Sequence, residues 1–321
     1  MNILDSKPLV SIGMAVHNGE RYIRQALDSL LAQDYDNFEL IISDNASTDK
    51  TREICLAYAA KDKRVRYYRN QTNVGALRNF DRVFELSSGE YFMWACHDDY
   101  WKPRYLSSCL KAFNISEAIV LTGTECDSID PETGELIFVD EGLSTVGLSP
   151  GKRFMRYKST LHGGRHVGGI FYGVYKRTAL RKVMPMKKVV AVDHIIMAEM
   201  CFQGEFVTVP KRLMAKRVGG VSASLESMAH AYGMSNQLLV KGTYLTREAM
   251  LQRIIFQTEE LKLTEKIWLV CWSLSHTSQV VIRRVLSLGY QTVATLVKRL
   301  AIRVREPCHS RAQRTSSRKW S

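Results

Sequence analysis

Strand and helix signals alternate through the first hundred residues, and that alternation leaves few architectures open. LVSIGMAV (residues 9–16) is an apolar run of strand length. HNGERYIRQALDSLLAQ follows, with Tyr22, Ile23, Ala26, Leu27, Leu30 and Leu31 at helical spacing and Asn18 as the expected N-cap. FELIIS (38–43) is a second strand, and DNASTDKTREICLAYAA is a polar turn opening a helix. RVRYYRN (64–70) is a short third strand, and NVGALRNFDRVFELSSGE is a turn and helix stopped by Gly89. YFMWAC (91–96) is the fourth strand. Such alternation predicts an α/β fold, a mostly parallel sheet flanked by helices.

In parallel sheets of this kind ligands bind beyond the carboxyl ends of the strands. Strand one ends at His17 and Asn18, strand two at Asp44 and Asn45, and strand four at Asp98 and Asp99. Three polar clusters distant in sequence are therefore expected on one edge. Adjacent carboxylates repel, and burying them is costly unless a cation lies beside them. A hard divalent ion, Mg²⁺ or Mn²⁺, suits such a pair. The alternative is that Asp98 and Asp99 only begin a loop or cap a helix, and that Asp44 belongs to an ordinary Asp-Asn turn.

The middle of the chain is less regular. DSIDPETGELIF reads as a hairpin around Pro131 to Gly134, and SPGKRFMRYK as a short helix with Pro150 in its first turn. HGGRHVGG, with His162, Arg165 and His166, reads as a glycine-rich loop able to fold over a ligand. IFYGVYK is strand-like, DHIIMAEMCFQG is a helix ended by Gly204, and EFVTVP is a strand closed by Pro210. After about Arg217 the alternation stops and helical patterns take over. Two regions are expected, 1–217 as the catalytic domain and 218–321 as a helical, basic C-terminal region.

Cysteine use argues against a disulfide framework or a zinc site and for scattered core thiols in a reducing compartment. The seven cysteines are scattered, odd in number and without a C-x-x-C pair. No basic leader precedes the first apolar run, and no apolar stretch approaches the ~20 residues of a membrane span, so a cytoplasmic protein is expected. The formal net charge of +13 calls for an anionic partner.

The ordered series VSIGMAVHNGERYIRQALDSLLAQ, ELIISDNASTDKT, NVGALRN and SSGEYFMWACHDDYWKPRYL resembles the family 2 glycosyltransferases of GT-A fold. The likeness covers roughly the first 110 residues and continues, more faintly, through VDHIIMAEMCFQGEFVTVP. It implies transfer of a sugar from a nucleotide-sugar to an acceptor hydroxyl, with inversion and a divalent metal (Mn²⁺ or Mg²⁺), in polysaccharide or glycolipid synthesis. Asp44 then resembles the carboxylate that accepts from the ring N–H of a uracil-type base, implying UDP or dTDP donors, with the backbone from Ala15 to His17 lining the base pocket. The segment Asn73 to Arg78 resembles the stretch beside ribose and diphosphate. Asp98 and Asp99 fit the acidic pair of the D-x-D type motif, one near the ribose and one on the metal, although Cys96 replaces the first acid of the commoner D-x-D-D form. Asp193 fits the general base, which is compatible with its capping a helix, and His194 is its neighbour. Lys216 and Arg217 correspond to a basic segment near the diphosphate, or else form a solvated turn. No Q-x-x-R-W signature of processive members is present.

Beyond His276 the charge is lopsided. Arg283, Arg284, Lys298, Arg299 and Arg303 accompany Ile282, Val285, Leu286, Val293, Leu296 and Leu300 at helical spacing. A basic amphipathic helix suits an anionic membrane surface, which would hold the protein at the inner face near a glycan or lipid-linked acceptor. The alternative is a helix packed on the catalytic domain. Nucleic acid is not expected, since no recognition module accompanies the charge. Two other functions share these features: a nucleotidyltransferase, which HNGERY serves poorly as a phosphate loop, and a non-catalytic nucleotide-sugar-binding protein.

Overall fold

The computed structural model describes residues 7–160, 168–219, 227, 230–232, 243–275 and 277. The order is β1 (Val10–Val16), α1 (Ile23–Leu31), β2 (Phe38–Asp44), α2 (Thr51–Lys61), β3 (Val65–Arg69), α3 (Ala76–Glu85) and β4 (Tyr91–Ala95). Then come β5 (Tyr100–Trp101), α4 (Tyr105–Ala112), β6 (Ile119–Ile129), β7 (Leu136–Asp140), α5 (Pro150–Thr160), β8 (Val174–Lys176), α6 (Arg177–Arg181), α7 (Val192–Gln203), β9 (Glu205–Arg217) and α8 (Thr243–Gln257).

All nine strands form one sheet in the order β3-β2-β1-β4-β8-β6-β9-β5, with β7 paired to β6. The first four neighbours are parallel. β8 is antiparallel to both β4 and β6, and β6 and β9 are again parallel. Period-two alternation decides which side chains enter which core. Val10, Ile12, Met14, Tyr91, Met93 and Ala95 go to the face covered by α1 and α4. Phe92 and Trp94 go to the face covered by α3, α5 and α7. Gly13 lets α3 press against β1, since a Cβ there would lie 2.8 Å from Val83 and 2.9 Å from Phe92.

Three boundaries differ from the sequence reading. α1 begins at Ile23, and Asn18 has φ 51°. Rather than capping the helix, Asn18 ties two loops together. Its N–H donates to Ser47 Oγ (2.9 Å) and its side-chain oxygen accepts from Thr48 N–H (2.9 Å). IFYGVYK is a 3₁₀ turn (Gly168–Tyr172) before it is a strand. The strand expected to close at Pro210 runs on to Arg217. Register passes from Thr124↔Val209 to Glu125↔Arg212, so Pro210 sits in a bulge, where the missing N–H leaves no ladder bond unmade.

Residues 1–273 form one compact unit and 274–321 a second. In the first, Lys158 of α5 is 1% exposed and donates to both Glu248 oxygens (2.8 and 2.7 Å) and to the Ser273 carbonyl (3.1 Å). That buried ion pair joins α5, α8 and a helix over 263–275. The glycine-rich loop carrying His162, Arg165 and His166, and the basic stretch beyond 277, lie outside the described residues.

Candidate functional site

β1, β2, β3 and β4 run parallel, so their carboxyl ends share one edge. Asp44 ends β2 and is 0% exposed. Its Oδ1 accepts from Ser47 N–H (2.8 Å), and its Oδ2 accepts from Tyr67 hydroxyl (2.6 Å) and Arg69 Nη1 (2.8 Å). Burial pushes this carboxyl up, but the Ser47 and Tyr67 hydrogen bonds and the Arg69 charge outweigh it and hold it below its ordinary value.

Asparagines carry the network onward. Asn45 donates to Asn73 Oδ1 (2.7 Å), and its own oxygen accepts from Asn70 side chain (2.9 Å) and Val74 N–H (2.9 Å). Asn73 Nδ2 lies 3.4 Å from His17 Nε2. His17 and Asn73 are thus brought together at the rim of the strand ends, where both are exposed. Ala15 faces Ser43 across the β1–β2 ladder. Arg78 stands apart, half-exposed and ion-paired with Glu85 (2.5 Å) on its own helix.

The β4 end is the other pole. Asp99 is 2% exposed; its Oδ1 accepts from Arg217 N–H (3.0 Å), and among the described residues no hydrogen bond reaches its second oxygen. Burial first, and Asp98 second, push its carboxyl well above the usual range, against Arg217 and Lys216. One oxygen each of Asp98 and Asp99 and the sulfur of Cys96 lie within 4.8 Å of one another, the one such group among the described residues. A buried, incompletely bonded carboxylate beside a second one fits a divalent cation.

The Arg217 guanidinium donates to the Asp98 carbonyl and to Gln25 (2.6 Å), and lies 4.2 Å from the Tyr22 ring centre. It clamps the β4–β5 turn to α1. Lys216 places its charge near Cys96, Asp99 and Cys126.

Asp193 lies in the first turn of α7, behind Ala191 at φ 58° as N-cap; its side chain is 40% exposed. His194 Nε2 is 3.8 Å from Asp193 Oδ2, and Arg247 Nη1 of α8 donates to His194 Nδ1 (3.0 Å). That bond leaves the His194 proton on Nε2, toward Asp193. Burial lowers the His194 pKa below its ordinary value; Asp193 opposes this and Arg247 reinforces it. Tyr172 joins the two poles. Its hydroxyl is pushed well up by burial, then by Cys96, Asp99 and Asp193. Asp193 and Asp99 both raise the pKa of the Tyr172 hydroxyl, although nearly a hundred residues separate them.

Arg69 and Tyr67 escaped the sequence reading, although the strand-end rule applied to β3 points to Arg69. Arg247 and Tyr172 carry no local signal. A shallow depression of about 700 Å³, lined by Glu20, Asp49, Lys50 and Arg52 among others, lies beside the cluster, and none of Asp44, Asp98, Asp99 and Asp193 lines it.

Residues 11–183, more than half of the chain, match the family described as Glycosyl transferase family 2. The chain belongs to glycosyl transferase family 2. It is 38% identical over 135 residues to an uncharacterised glycosyltransferase of Rickettsia typhi, covering 41% of each chain. It is 36% identical over 148 residues to the putative glycosyltransferase EpsE of Bacillus subtilis, 46% of this chain and 50% of that one. A Nostoc sp. glycosyltransferase is 26% identical over 225 residues, 66% of each chain. The chain thus spans about two fifths to two thirds of these relatives' lengths. Among solved structures, S. aureus TarS residues 1–349 superposes with a TM-score of 0.59 at 16% identity, over 83% of this chain and 70% of that one. The same protein with UDP-GlcNAc gives 0.58 at 17%. At that identity the likeness shows the fold, a GT-A-like mixed sheet flanked by helices.

Proposed function

We propose that this protein transfers a sugar from a nucleotide-sugar to an acceptor hydroxyl with inversion. The observation that carries the reading is the pairing of Asp98 with buried Asp99 at the end of β4, one oxygen of each lying with the Cys96 sulfur within 4.8 Å of one another. The base end of the donor lies over the β1–β3 ends. Asp44 Oδ2 is already shared by Tyr67 and Arg69, so a base N–H reaches it by displacing one of them. UDP donors are the first choice, since TarS was crystallised with UDP and with UDP-GlcNAc. His17 and Asn73 line the ribose side. Asp98 and Asp99 would hold a divalent ion, Mn²⁺ or Mg²⁺, which would supply positive charge against the leaving diphosphate.

Asp193, solvent-accessible at a helix start, takes the acceptor's hydroxyl proton as that oxygen bonds to the anomeric carbon. The bond to the diphosphate oxygen breaks, and its electron pair leaves with the nucleotide. His194 Nε2 stands 3.8 Å from Asp193 Oδ2, beside the base.

The acceptor is a glycan or lipid-linked glycan, and the protein works at an anionic membrane surface. The basic sequence beyond His276 supports this, as do Leu263, Ile267 and Trp268, each at least half exposed on the helix over 263–275. Among the described residues no helix is long and apolar enough to cross a membrane. The test is a screen of purified protein with Mn²⁺ and a panel of nucleotide-sugars, reading nucleotide release and acceptor mass. Release with UDP- or dTDP-sugars that needs acceptor supports the reading. Binding without turnover on any acceptor makes the protein a nucleotide-sugar binder, and pyrophosphate release from a nucleoside triphosphate makes it a nucleotidyltransferase.

A further inference from the structure

One cysteine is placed unlike the others. Cys55, Cys109, Cys126 and Cys201 are buried in the two hydrophobic cores, where a thiol is a small apolar filler. Cys96 belongs to neither core. It follows the last residue of β4, is half-buried, and shares its surroundings with two carboxylates whose oxygens lie within 4.8 Å of its sulfur and of each other. A side chain placed there only to fill space would meet carbon. Asp99, 2% exposed, adds a carboxylate whose one hydrogen bond among the described residues comes from Arg217 N–H.

The geometry points to Cys96 as a third donor to the divalent ion, whose sulfur tilts the site away from Mg²⁺ and toward Zn²⁺ and Co²⁺. This rests on the reading above that Asp98 and Asp99 hold such an ion. The physical reason is ligand softness. Carboxylate oxygens alone suit Mg²⁺, Ca²⁺ and Mn²⁺, whereas a thiolate binds softer ions and is displaced poorly by hard ones. On coordination the thiol proton passes to solvent and the S–metal bond replaces the S–H bond.

Zn²⁺ and Co²⁺ outrank Mg²⁺ at nearly any site, so affinity order alone decides nothing. The discriminating quantity is how that order changes when the sulfur is removed. The full chain is titrated with Co²⁺, alone and with UDP, and followed by absorption. The expected result is a near-ultraviolet sulfur-to-cobalt charge-transfer band that disappears in Cys96→Ser and persists in Cys271→Ser, the control for an exposed thiol. By competition, Cys96→Asp lowers the ratio of Zn²⁺ to Mg²⁺ affinity by ~10-fold or more, a scale that even changes around the ligands reach. Visible cobalt bands in wild type without the charge-transfer band would overturn the proposal and leave Asp98 and Asp99 as the metal site. A band that survives Cys96→Ser would likewise overturn it. Absence of any bound Co²⁺ by equilibrium dialysis, with and without UDP, would remove the metal reading itself. Unchanged thermal unfolding of each variant guards against misfolding.

Discussion

The stretch from β1 to β4 and the stretch from β6 to α8 build the two sides of one site by different means. In the first, four neighbouring parallel strands end at a common edge, so whatever follows each strand joins the cluster automatically. In the second, each contribution needs a separate tertiary device. A bulge carries β9 past Pro210 so that Arg217 reaches Asp99. The left-handed Ala191 starts α7 so that Asp193 falls in its first turn. The buried Lys158–Glu248 pair seats α8 so that Arg247 reaches His194. Repetition makes the proposed nucleotide side of the site robust, while the proposed acceptor side depends on single long-range contacts.

The strongest way to break the comparison is at the β4 end. Asp99→Ala should abolish metal-dependent donor binding and transfer with thermal unfolding preserved; equal donor affinity with and without Mn²⁺ in both proteins would remove Asp99 from the site. Next comes the device beneath α8. Lys158→Met leaves Glu248 without its cation in a buried setting, and should cost about 3–5 kcal/mol of stability in chemical denaturation. The double change Lys158→Met with Glu248→Leu should recover much of that loss. If the single variant unfolds like wild type, α8 is not held as the geometry requires.

Asp193→Asn keeps the side chain's shape and removes its basicity. Turnover should fall ~10²-fold or more with donor binding nearly unchanged, measured by steady-state kinetics and calorimetry. A variant with normal kcat would end the mechanism proposed here.

Asp44 sharpens the comparison from the nucleotide side. Asp44→Asn should weaken UDP binding by about 1–3 kcal/mol, the scale of a lost charge-assisted hydrogen bond. A preference for CDP in calorimetry would show that the base end is elsewhere. Because the folded-state pKa of Asp44 lies below its unfolded value near 3.9, its contribution to stability is complete above about pH 4 and is lost as pH falls through the folded value. The variant should therefore unfold with a shallower dependence on pH at the acid end than wild type.

The smallest effect concerns Arg247. It lowers the His194 pKa, so Arg247→Met should let that pKa rise. The His194 ring titration, followed by NMR, should move to higher pH, with KM for donor unaltered. A uniform fall in kcat at every pH would indicate that Arg247 only supports the fold.

By itself the sequence determined the first half of this protein. Apolar alternation with period two and helical spacing near 3.6 are consequences of local backbone geometry, so β1, β2, β3, β4 and the helices between them could be placed in order, though not the start of α1. Parallel order then implied that Asp44, Asp98 and Asp99 share an edge. Only tertiary structure decided that Asn18 staples two loops, that β9 continues through Pro210, that Arg78 pairs with Glu85, and that Arg247 reaches His194 beside Asp193. Those outcomes turn on register and packing between segments far apart in the chain. Such contacts are chosen by the complementarity of whole faces, and no short window of residues records them.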